Sequence, residues 1–185
     1  MSIQSPEHLV WLDLEMTGLD PQIDVILQAA LIITDKHLTP LAEYVCDVWQ
    51  PESALELMTP FVREMHAKTG LTERVRTSRI DLARAERELF EHVMAWCPLR
   101  GGTLAGNSVG QDKKFIERYM PMLAGYLSYR ILDVSSIKLL AKLWYAEDAQ
   151  FAKPDEGAHD ALVDIKNSIA ELQHYRQHVF TPPST

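Results

Sequence analysis

Asp13 and Glu15 stand two positions apart in the apolar run "HLVWLDLE", residues 8 to 15, and the run breaks at once into "MTGLDP". In an extended strand, residues two apart point the same way, so Trp11, Asp13 and Glu15 share one face while Val10, Leu12 and Leu14 share the other. Two carboxylates held that close repel and resist desolvation unless a cation or a proton intervenes. Oxygen ligands of this kind suit hard divalent ions such as Mg²⁺ or Mn²⁺. The competing reading is the polar face of an edge strand, and Glu86 and Glu88 repeat the acid-x-acid spacing in a helical segment.

A metal cage needs further acids on elements that converge. Asp112 follows "AGNSVGQ", where a short strand and loop open a helix. A first-turn acid favoured by the helix dipole is the alternative there. Asp164 lies in "GAHDALVDI" beside Ala161, Leu162 and Ile165, apolar company in which an acid needs a partner. His159 precedes it by five residues, about 140° around a regular helix, so the two do not share a helical face. The spacing places His159 in the entry to the last helix, where it either swings over the acids or is a surface histidine.

The elements that must carry these residues are readable in outline. Residues 8–15, 25–35 and 42–49 are strand-like, joined by turn signals such as "TDKHLTP", and their succession favours an antiparallel meander. From residue 51 the period becomes helical, with Pro51 and Pro60 dividing short pieces and Leu82, Ala85, Leu89, Val93 and Trp96 forming one apolar stripe. A short strand in 102–108 leads into a helix from Asp112 to Leu123. The segment "YRILDVSS" gives a last strand. A helix follows with Val134, Ile137, Ala141 and Trp144 inward, and a final helix covers about 160–176. The fold class is therefore α/β, a mixed sheet flanked by helices. One domain is expected over 1–185, with its core at about 8–178 and a flexible tail at 180–185.

Composition fits this: 185 residues, 46% hydrophobic and 24% charged. The N-terminal segment has no secretory pattern and no run reaches the ~20 apolar residues that span a bilayer, so a cytoplasmic protein without membrane contact is expected. Cys46 and Cys97 lie outside any metal-ligand spacing and read as buried thiols. A formal charge of −8 argues against a long duplex groove, which normally needs a basic face.

Together "WLDLEMTG", "AGNSVGQDKKF" and "HDALVD" resemble the three motifs of the DEDDh exonuclease family, and the likeness runs from about residue 8 to 180. It is strongest to members that act on very short RNA, in "DLEMTGLDP", "GNSVGQDKKF", "YMP" and "YRILDVSS". The resemblance implies a ribonuclease H-like fold and 3′-to-5′ hydrolysis of single-stranded RNA of about two to five nucleotides by a homodimer, a small footprint that suits an acidic protein. It implies that Asp13, Glu15, Asp112 and Asp164 hold two divalent cations, Mg²⁺ or Mn²⁺, with His159 as general base. A neutral histidine is required for that role, so activity should fall on acidification through a pKa near ~6.5.

The same resemblance implies that Leu19 is a wedge against the bases and that Phe61 stacks from the other side. Ser108 and Gln111, helped by Tyr129, Arg130 and His66, would cap the 5′ phosphate, some of them from a second subunit. Hydroxyl, amide and guanidinium groups donate to phosphate oxygens, and an aromatic ring stacks on a base. The bland alternatives are core roles for Leu19 and Phe61, a helix cap for Ser108, and surface positions for Arg130 and His66. Two positions depart from the family: Phe61 stands where Trp is usual, and Gln28 in "ILQAA" where many members have Glu. Two other functions stay open: an exonuclease for DNA or longer RNA on the same scaffold, and a silent nucleotide-binding or interaction module. The mark of the latter would be a missing carboxylate, and none is missing.

Overall fold

The computed structural model describes residues 3–146, 149–152 and 160–180. Three strands open the chain, β1 (Leu9–Met16), β2 (Ile26–Thr34) and β3 (Pro40–Asp47), paired antiparallel as the meander pattern predicts. Two later strands, β4 (Thr103–Gly106) and β5 (Ile131–Asp133), run parallel to β1 on its other side. The order β3-β2-β1-β4-β5 makes β1 the central strand. The edge-strand reading of Asp13 and Glu15 fails for the strand as a whole: β1 is paired with β2 along its length and with β4 over Leu9–Trp11, and the acids lie just past the point where the β4 pairing ends.

Helices cover both faces. Val10, Leu12 and Leu14 pack with Ala29, Leu31 and Ile33 against α4 (Leu82–Trp96), α5 (Gly110–Tyr119) and α6 (Pro121–Tyr126). On the opposite face Trp11, Ala30 and Ile32 meet α7 (Val134–Trp144) and α8 (Ala161–His178) through Ala141, Ile165 and Ile169. The short helices α1 (Glu52–Leu55), α2 (Pro60–Lys68) and α3 (Leu71–Thr77) fill the segment after β3, with α1 and α3 packing on Leu27 through Leu55, Leu71 and Val75.

Two sequence expectations change here. The helix expected from Asp112 to Leu123 is two helices, because Pro121 cannot donate the next backbone hydrogen bond and instead starts α6, with Met120 at φ −132 and ψ 60 between them. Trp144, expected inward, is 71% exposed, since only Val134 and Ala141 of α7 are buried. Among the described residues no helix is long and apolar enough to cross a membrane.

Candidate active site

The end of β1 is where the chemistry gathers. Asp13 and Glu15 leave the same face of the strand, and Asp164 reaches them from the first turn of α8, where Asp160 caps the helix by accepting from the Val163 N–H at 3.2 Å. One carboxylate oxygen from each of Asp13, Glu15 and Asp164 lies within 4.8 Å of the other two. At an effective dielectric of about 20, each such like-charge pair costs roughly 3 kcal/mol. Hard oxygen donors converging at that spacing fit a divalent cation, which removes the repulsion.

Asp112 is outside that three-residue group and is held differently. It sits in the first turn of α5, and its Oδ1 accepts the Leu14 N–H at 3.0 Å, so its carboxyl lies against the backbone between Asp13 and Glu15. Burial pushes its pKa from 3.8 up to about 7, against the lowering effect of the Leu14 bond. A carboxyl that half-retains its proton near neutrality becomes a full ligand once a neighbouring cation offsets its desolvation. His159 lies outside the described residues.

The loop after Glu15 turns Leu19 outward. Thr17 Oγ1 donates to Asp24 Oδ1 at 2.9 Å and accepts the Val25 N–H at 3.0 Å, while Asp24 Oδ2 takes the Asp20 N–H at 2.9 Å. Gly18 is packed directly on the Asp24 carboxylate, leaving no room for a Cβ. Leu19 is consequently 72% exposed, and Phe61, in the first turn of α2, is 74% exposed, so neither belongs to the core. The Gln111 amide donates to the Leu19 carbonyl and its own carbonyl accepts Lys114 Nζ at 3.0 Å, which ties the loop to α5. Asp24 was not among the sequence candidates. Its signal was the Thr17–Asp24 pairing across a glycine, visible only once the loop closes.

Ser108 does not cap α5, whose start has no side-chain cap. It adopts φ +52, with its N–H on Asp133 Oδ1 and Ser135 Oγ, both at 2.9 Å, and its exposed hydroxyl 3.0 Å from Ser135 Oγ. Tyr129 and Arg130 are exposed, with the guanidinium 4.9 Å from the Tyr129 ring centre. His66 lies deeper than Ser108, Tyr129 and Arg130. It is wholly buried under the end of β1, with Nε2 2.9 Å from the Met16 carbonyl and Nδ1 3.9 Å from Glu15. The ring thus stands beside Glu15.

An α/β sheet with converging acids at the end of its central strand defines a nuclease of the ribonuclease H-like class. Exonuclease I from E. coli, solved with an oligonucleotide, shares this fold at a TM-score of 0.72 and 16% identity over 95% of the chain, as does Exonuclease I from Methylocaldum szegediense at 0.67 and 19% over 93%. The chain spans only 41% of either of those proteins. The RNase_T exonuclease family matches residues 10–172. Oligoribonuclease of Ectopseudomonas mendocina is 46% identical over 95% of this chain and 98% of its own length; that of Colwellia psychrerythraea is 48% identical over 94% and 96%. The chain therefore belongs to the oligoribonuclease group of the RNase_T exonuclease family.

Proposed function

We propose that the protein is a 3′-to-5′ exoribonuclease that hydrolyses oligoribonucleotides of about two to five nucleotides, dinucleotides above all, to mononucleotides; a footprint that small draws little on a basic groove. The observation carrying this reading is the carboxylate group Asp13, Glu15 and Asp164, with Leu19 exposed on the loop that follows Glu15 and Phe61 exposed on α2. On this reading Asp13, Glu15, Asp112 and Asp164 hold two Mg²⁺ or Mn²⁺ ions. Bound divalent cations supply positive charge that lowers the pKa of the attacking water and stabilises the departing 3′ oxygen. His159 accepts the water's proton, which is why it must be neutral. Leu19 and Phe61 sandwich the bases, and Ser108 and Gln111, with Tyr129, Arg130 and His66 contributing, take the 5′ phosphate, closing the site to longer chains.

The whole chain then acts as one exonuclease domain and pairs with a second copy. Supporting the pairing, α7 presents Leu139, Leu140, Leu143 and Trp144 as an exposed stripe at helical spacing. Trp144→Glu should convert the dimer to monomer on size-exclusion chromatography; an unchanged elution volume rejects that face.

The substrate reading is tested by competing a 5′-labelled diribonucleotide against a long single-stranded RNA in Mg²⁺ and in EDTA. Preference for the diribonucleotide, abolished by EDTA, is the expected result. Equal or faster turnover of the long chain would favour the general exonuclease alternative.

A further inference from the structure

Gln28 is a polar side chain in the middle of an apolar strand, and it is 3% exposed. Its cross-strand neighbours are Glu15 on β1 and Asp47 on β3, so three polar side chains form a row on the face that α8 covers. Both ends of the amide are used. Nε2 donates to Asp47 Oδ1 at 2.7 Å, and Oε1 accepts the N–H of Ala161 at 3.1 Å. Asp47 is held from its other oxygen by Arg74 Nε at 3.0 Å, and Arg74 in turn donates to the Thr69 carbonyl at 2.8 Å.

Ala161 is the first residue of α8, and its N–H is one of the amides that a helix start leaves without an intrahelical acceptor. Fixing it to the sheet sets how far α8 extends toward β1 and how it is turned about its axis. Asp164 lies three residues on, less than one turn, and must bring a carboxylate oxygen within 4.8 Å of both Asp13 and Glu15. We infer that Gln28 is a positioning residue of the reaction, clamping the start of α8 to the Asp47–Arg74 pair so that Asp164 meets the strand acids. This rests on the nuclease reading of that acid group.

The side-chain type follows from the geometry. An amide donates to a carboxylate from one atom while it accepts a backbone N–H at another. Glutamate keeps the acceptor and loses the donor, adding a carboxylate between Glu15 and Asp47. Methionine has the length and neither function.

The test compares Gln28→Met and Gln28→Glu with wild type by three measurements: Mn²⁺ binding to substrate-free protein, hydrogen exchange of the Ala161 amide, and kcat and KM on a diribonucleotide. Gln28→Met should weaken Mn²⁺ binding about 10- to 100-fold, the usual effect of losing a group that orients a metal ligand. It should also speed Ala161 exchange and lower kcat while KM moves by less than about two-fold. Gln28→Glu, which retains the Ala161 acceptor, should recover most of the Mn²⁺ affinity and the exchange protection. If Gln28→Met does not fold, Gln28→Asn, too short to span both partners, replaces it. A variant that is less heat-stable yet keeps Mn²⁺ affinity and kcat overturns the proposal, as does a fall in kcat with unaltered Ala161 exchange. Failure of wild type to cleave the diribonucleotide counts against the substrate reading alone, because the binding and exchange measurements need no substrate.

Discussion

Asp13, Glu15 and Asp112 project from the central strand and from a helix packed upon it, and Asp164 from a helix whose start is bonded to the sheet. Leu19, Phe61, Tyr129 and Arg130 sit instead on a loop, a first helical turn and the lead into β5, and all four are exposed. The acids are placed by backbone hydrogen bonds that exist without substrate, such as Leu14 N–H to Asp112. The exposed residues have contact area to give. On the proposed reading, catalytic geometry is stored in the fold, whereas the exposed residues gain their energy only when a base or phosphate arrives.

The sharpest way to break this division is to remove an acid of the carboxylate group. Asp13→Asn and Asp164→Asn should each cost more than about 100-fold in kcat on a diribonucleotide, since even groups that merely orient a ligand cost 10–100-fold. Phe61→Ala should act differently, raising KM roughly ten-fold with little change in kcat, as base–aromatic stacking is worth about 1–3 kcal/mol. A KM effect from the acids or a kcat effect from Phe61 would dissolve the distinction. Arg130→Ala should cost a few-fold to about ten-fold in preference for a 5′-phosphorylated over an unphosphorylated dimer, as an exposed charge-assisted bond does. Equal preference in the variant and wild type counts against the phosphate cap.

The smallest effect concerns stability without metal. Asp112 keeps its proton in the folded protein up to about pH 7 but titrates at its ordinary 3.8 once unfolded. Its contribution to stability is complete below 3.8 and is lost as pH rises toward 7. In EDTA, the Tm of wild type should therefore decline across this window more steeply than that of Asp112→Asn, and Mg²⁺ should reverse the decline. Parallel slopes in the two proteins would remove the argument from burial.

Much of the architecture was legible because period and punctuation are local: the 3.6-residue stripe of α4 and the three-strand meander needed no tertiary information. The break between α5 and α6 was also written in Pro121, yet apolar continuity from Phe115 to Leu123 masked it. Trp144 misled because an apolar residue at helical spacing reads as core whether its covering partner is the same chain or another. His66 could not be placed, since a histidine on a short helix says nothing about which strand end will lie above it.

From the sequence alone came the acid spacing, the family motifs and the order of elements, all properties of neighbours along the chain. Only the tertiary structure decided that β1 is central, that Asp164 rather than Asp112 closes the tight carboxylate group, and that Gln28 bonds the first amide of α8. Those depend on distances between residues as far apart in sequence as Asp13 and Asp164, which follow from how sheet and helices pack rather than from any local pattern.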